Sequence, residues 1–241
     1  MQYLVFLGCL LVTIMHADEY SIGLDAYEKK DYATAKKVFK KACDIGYDKG
    51  CYNLGFFYQN GYGVKQDYVK AKELYEKACE LGHATGCANV ALFYEDGLGV
   101  DKDYAKAKAL LRKSCDMDGA LGCYNLGLFY EDGLIGKKDY VKAHALYTKA
   151  CDIHSTLGCN NLGLLFKNGQ GVEQDYAKAK ELFTKVCRRG EGLGCYNLGN
   201  MYKNGHGVKR DFYAAQELYI KSCNLDTDQG CEAYRVSLHR D

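Results

Sequence analysis

The chain has 241 residues, 48% of them hydrophobic, enough apolar material for one large core or two small ones. Its 32 basic and 31 acidic residues are interspersed and leave a net charge of +1, which excludes the basic footprint that nucleic-acid binding requires. Ala, Leu, Lys and Glu abound, Pro and Trp are absent, and the 27 glycines recur at fixed intervals, so the composition points to an array of helices.

Residues 1–17, MQYLVFLGCLLVTIMHA, carry an apolar run from Tyr3 to Met15 that is too short to span a bilayer and is followed at once by Asp18 and Glu19. This reads as a cleaved signal peptide, which implies a secreted or periplasmic protein with no membrane attachment after cleavage. Residues 18–50 then read as an N-terminal capping helix pair that lacks the glycine loop seen further on.

From Cys51 onward a 36-residue unit repeats over 51–86, 87–122, 123–158, 159–194 and 195–230, followed by a C-terminal capping helix over 231–241. In the first helix of the unit Cys51, Leu54, Gly55 and Tyr58 share a face by helical spacing and form a core stripe. A glycine inside a helix costs about 1 kcal/mol relative to Ala, so Gly55 and its equivalents Gly127, Gly163 and Gly199 imply close approach of a neighbouring helix; Ala91 takes the place in the second repeat. The loop NGYGVKQDY reverses the chain, with Gly61 and Gly63 suited to positive φ and Asp67 placed to cap the second helix. That helix buries Tyr68, Ala71, Leu74, Tyr75 and Ala78. One repeat departs from the pattern, since Gly133-Leu134-Ile135-Gly136 shifts its second glycine by one.

Twelve cysteines beyond the signal fall into C-x7-C pairs: Cys43 and Cys51, Cys79 and Cys87, Cys115 and Cys123, Cys151 and Cys159, Cys187 and Cys195, Cys223 and Cys231. The first of each pair ends one helix and the second begins the next. Between them Gly46, Gly82, Asp118, His154, Gly190 and Asp226 suit the left-handed residue that closes a helix. A short turn between antiparallel helices brings such ends together, so each pair is expected to form a disulfide worth roughly 2 to 3 kcal/mol in the chain-entropy model. Structural zinc favours closer spacings such as C-x2-C, and no metal is expected.

The pattern x-A/G-x-x-Y-x-x-G-x-G-V-x-x-D-Y-x-K-A-x-x-L-Y-x-K-A-C resembles the Sel1-like repeat, a relative of the tetratricopeptide repeat. With C-x7-C at every joint, residues 18–241 resemble the Helicobacter cysteine-rich protein family. The resemblance implies an all-α fold, a right-handed superhelical solenoid of αα-hairpins stapled by disulfides. It also implies penicillin binding or weak β-lactamase activity, with a β-lactam or a cell-wall-related small molecule as ligand. The residues offer no machinery for that chemistry. Ser21, Ser114, Ser155, Ser222 and Ser237 lack a lysine three positions on, S-D-N and K-T-G do not occur, and His83, His144, His154, His206 and His239 are scattered singly. No cofactor is expected.

Asn53, Asn89, Asn125, Asn161 and Asn197 hold the third position of every complete repeat, on the face of the first helix turned away from the core stripe. Asn is a mediocre helix former, and its recurrence asks for a reason. Two readings stand side by side: a ladder of amides that grips the main chain of an extended peptide or protein partner, or a set of bonds that stabilise stacking of adjacent repeats. Further along the same face Glu95 and Glu131 are followed by Lys167 and Lys203, a change of sign that could orient a charged peptide, and Tyr52, Tyr124 and Tyr196 add aromatic area. The leading expectation is an exported scaffold that binds a peptide or protein partner in its groove; the alternative is a β-lactam-binding protein with weak hydrolase activity.

Overall fold

The computed structural model describes residues 20–238, among which there is no strand. The expected signal peptide and His239 lie outside the described residues. Residues 20–28 are helical and form α1. The chain continues through α2 (Tyr32–Asp44) into an alternation of first helices, α3 (Asp48–Asn60), α5 (Ala84–Asp96), α7 (Ala120–Asp132), α9 (Thr156–Asn168) and α11 (Gly192–Asn204), and second helices, α4 (Tyr68–Glu80), α6 (Tyr104–Asp116), α8 (Tyr140–Asp152), α10 (Tyr176–Arg188) and α12 (Phe212–Cys223). The last element is α13 (Asp228–Ser237). None of the described helices is long and apolar enough to cross a membrane.

The second helices start where the sequence places their caps. Asp67 accepts from the Lys70 backbone N–H at 3.0 Å, and Asp31, Asp103, Asp139, Asp175 and Asp211 repeat the bond, satisfying a donor that the helix itself leaves open. The first helices begin three residues earlier than a reading from the cysteine suggests, so Cys51 sits in the first turn of α3 instead of at its head. Local caps explain the early start: His83 Nδ1 accepts from the Gly86 N–H at 3.1 Å, and Ser155 Oγ accepts from the Gly158 N–H at 3.0 Å. The turn after each second helix passes through Gly46, Gly82, Asp118, His154, Gly190 or Asp226, all with positive φ as expected. In the divergent loop Gly133 and Gly136 both take positive φ while Leu134 and Ile135 are exposed.

Disulfides join Cys43–Cys51, Cys79–Cys87, Cys151–Cys159, Cys187–Cys195 and Cys223–Cys231, with Cα atoms 4.4 to 4.6 Å apart. Cys115 and Cys123 are disulfide-bonded as well. Each of these five bridges ties the end of one helix to the first turn of the next, as the spacing predicts.

The chain divides into two compact blocks at Gly122 and Cys123. In the N-terminal block Phe39, Phe57, Tyr75, Val90 and Phe93 are buried between the helices; in the C-terminal block Tyr147, Leu165, Phe183 and Met201 do the same. Close helix approach accounts for the mid-helix glycines. A Cβ at Gly55 would lie 2.9 Å from Tyr75 Cδ1, and one at Gly163 would lie 2.7 Å from Phe183 Cε1. In the second repeat, where the ring gives way to Leu111, the glycine gives way to Ala91, and both residues are fully buried.

Candidate functional site

Asn53, Asn89, Asn161 and Asn197 point at the preceding repeat, and their amides are part of a hydrogen-bond network that alternates with tyrosine hydroxyls. In the N-terminal block Asn53 Nδ2 donates to the Tyr20 hydroxyl at 2.5 Å. The Asn89 amide bonds the hydroxyls of both Tyr52 and Tyr75. Tyr75 in turn donates to Gln59 Oε1 at 2.6 Å. Burial pushes both phenols above the usual tyrosine range, and the Asn89 bond pulls partly the other way. The Tyr52 ring stacks on His83 with centroids 4.4 Å apart.

The C-terminal block repeats the arrangement and extends it. The Asn161 amide bonds Tyr124 and Tyr147, and Tyr147 donates to Glu131 Oε2 at 2.5 Å. Burial, first, and then the Glu131 carboxylate raise the Tyr147 phenol. Asn160 Nδ2 donates to Asn161 Oδ1 at 3.3 Å, and Asn197 Nδ2 donates to Asn160 Oδ1 at 2.7 Å, so polar contacts run without a break from Glu131 to Asn197. Asn160 and Asn197 are 5% and 9% exposed, which makes satisfaction of their amides a requirement of folding. Asn125 departs from this scheme: its Nδ2 is buried with no hydrogen-bond partner among the described residues.

The other residues singled out on this face are half-buried and differ in what holds them. Gln59 and Glu131 are tied to the tyrosine of their own repeat. Burial holds the Lys167 ammonium below the usual lysine range. Lys203 lines a cavity of about 500 Å3 with Phe212, Tyr219 and Val236. Glu95 is half-buried on α5, and Tyr196 lies 6.0 Å from Tyr219, ring to ring. Spacing alone does not reveal three members of this network, the Tyr75 and Tyr147 hydroxyls and Asn160. The signal was available at an offset of 37: an oxygen-bearing residue at position two of one repeat, Tyr52, Tyr124 or Asn160, precedes the Asn at position three of the next.

Other chemistry is sparse. The twelve cysteines of the repeats are all disulfide-bonded and offer no thiolate. No group of three or more His, Cys, Asp or Glu among the described residues is arranged to hold a metal ion. Ser222 Oγ donates to the Gly192 carbonyl at 2.7 Å, a packing bond between helices.

The Sel1 repeat pattern matches residues 14–47, 48–83, 84–119, 120–153, 156–191 and 192–226. HcpC of Helicobacter pylori is 41% identical over 59 residues, covering 24% of this chain and 20% of that protein. Thus the matched segment spans about a fifth of that relative. Among solved structures, a Sel1 repeat protein from Oxalobacter formigenes aligns with a TM-score of 0.80 at 25% identity, covering 88% of this chain and 86% of its own. A protective antigen of uropathogenic Escherichia coli displaying an SLR fold aligns with a TM-score of 0.77 at 29% identity, covering 91% of this chain and 48% of its own. Six matched repeats, the helix-pair geometry and the likeness of the solved folds agree: this chain belongs to the Sel1 repeat family.

Proposed function

We propose that the protein is a disulfide-stapled scaffold that holds an extended segment of a peptide or protein partner along the asparagine-bearing first helices. One observation carries this reading: Asn53, Asn89 and Asn161 are half-buried and their amides are fixed in advance by tyrosine hydroxyls. An amide offers two donors and two acceptor lone pairs, so bonds to one or two phenols leave capacity for a ligand main chain. Groups already ordered before binding lose little entropy when a ligand arrives. Glu131 and Lys167 beside the ladder would favour one direction of a charged segment.

The test separates ligand binding from stacking. Asn89→Ala and Tyr75→Phe both break the bond between Asn89 and Tyr75, but only the first removes the amide. An immobilised array of 12-residue peptides is probed with the labelled, oxidised protein. Capture that is lost in Asn89→Ala and kept in Tyr75→Phe supports the scaffold reading; equal capture by the two variants sinks it.

The density of disulfides supports residence in an oxidising compartment, secreted or periplasmic, and cell fractionation tests this directly. A second reading, turnover of a β-lactam, is supported by the name of a similar protein, Beta-lactamase HcpA of Helicobacter pylori, 46% identical over 44 residues that cover 18% of each chain. Hydrolysis of a chromogenic cephalosporin at the background rate removes this reading.

A further inference from the structure

A groove between α2 and α4 in the N-terminal block shares no residue with the amide ladder. It encloses about 670 Å3, and its floor is apolar, formed by Leu54, Tyr58 and Leu74 beside the Cys43–Cys51 bridge. Leu54 is only 7% exposed, so the floor lies well below the rim. Five lysines surround it, Lys36, Lys37, Lys40, Lys70 and Lys77, against the two carboxylates of Asp44 and Glu73. Lys40 is paired with Asp44 at 2.6 Å, and Lys70 lies over the Tyr58 ring. Lys36, Lys37 and Lys77 have no carboxylate partner among the described residues. Past Tyr58 and Lys70 the surface continues to Lys65.

The repeat itself does not require this charge. At the register of Lys36, Lys37 and Lys40, α4 carries Lys72, Glu73 and Glu76, and Lys72 Nζ pairs with Glu76 Oε1 at 3.0 Å. In α2 the same i,i+4 positions hold two lysines, an arrangement that disfavours the helix. The corresponding groove between α4 and α6 is balanced, with Glu76 and Glu80 facing Lys106 and Lys113. Relative to α4, Lys37 and Lys40 thus collect positive charge above an apolar recess.

We propose that this groove docks an acidic peptide segment of a partner protein, with apolar side chains seated on Leu54 and Leu74 and carboxylates paired to the lysine rim. A lipid surface would meet the rim but not the recessed floor, whereas a single leucine or phenylalanine side chain reaches it. A polyanion without apolar groups would leave the floor empty.

Fluorescence anisotropy of the oxidised full-length protein tests the site, using a labelled dodecapeptide that alternates pairs of Glu with Leu. The double variant Lys37→Glu/Lys40→Glu copies the α4 pattern and restores an i,i+4 pair with Lys36, so its helicity and thermal midpoint are expected to hold. Peptide affinity is expected to fall at least tenfold in the variant, in a Gln-for-Glu peptide and in a Ser-for-Leu peptide. Absence of peptide binding, binding by the double variant within twofold of the parent, or capture by phosphatidylglycerol vesicles in place of the peptide would overturn the proposal.

Discussion

The Tyr147 hydroxyl donates to Glu131 Oε2 within its own repeat and is bonded by the Asn161 amide of the next, so one phenol joins two first helices through a second helix. Tyr75 does the same with Gln59 and Asn89. A solenoid depends on nearest-neighbour contacts, and these hubs are among the directional ones.

Tyr147→Phe keeps the buried ring and deletes the hydroxyl. Glu131 and Asn161 lose their shared partner, and the variant is expected to lose about 1 to 3 kcal/mol in urea unfolding. Glu131→Gln keeps an acceptor in place and should cost less.

A glycine and a ring are matched in four of the five repeats, and the match is testable as a coupling. Gly163→Ala forces a methyl against Phe183 and is expected to destabilise by about 1 to 3 kcal/mol. Phe183→Leu recreates the natural pairing of Ala91 with Leu111, so Gly163→Ala should cost much less in that background. A double-mutant cycle by chemical denaturation measures the difference.

Two histidines should give the protein an acid-sensitive stability. Burial lowers the pKa of His83, whose Nδ1 caps α5, and burial followed by the Lys178 charge lowers that of His144. With both folded pKa values below the unfolded value of about 6.5, the unfolded state binds more protons as pH falls through that value. Stability is therefore complete above pH of about 7 and declines on acidification until the folded histidines titrate. His83→Asn retains a capping side chain and removes the titration, as does His144→Lys, which restores the lysine found at the register of Lys72 and Lys180. A shallower dependence of thermal midpoint on pH in each variant is the expected result; an unchanged slope refutes the assignment.

Much of the fold was readable because the sequence repeats it. Asp caps, positive-φ turns and cysteine spacings each recur at one register, and each depends on residues within a few positions of one another. Helix starts were less readable, since His83 and Ser155 cap through side chains that vary between repeats while the cysteine does not. The partners of the asparagines were hardest, because Tyr52 and Asn89 are 37 residues apart and meet only once two repeats have stacked. The recurrence of Asn at position three was plain in the sequence; what the amides touch depends on the preceding repeat, and so Asn197 meets Asn160 where Asn161 meets Tyr124.

Replacing Cys79 and Cys87 together by Ser removes one closed loop from the unfolded state and is expected to lower stability by roughly 2 to 3 kcal/mol. Alkylation of the native protein followed by peptide mapping should label none of the twelve repeat cysteines, and all of them after reduction in denaturant.

The same bridges change what a cut in the backbone means. The turn after α4 is exposed at Leu81 and Gly82, the sort of site where a protease nicks a chain. Because Cys79 and Cys87 flank that turn, the two fragments remain one covalent molecule, with α4 and α5 still side by side. Damage at such a joint is therefore silent until a reductant arrives, and the array tolerates proteolysis at the positions where an unbridged solenoid would come apart.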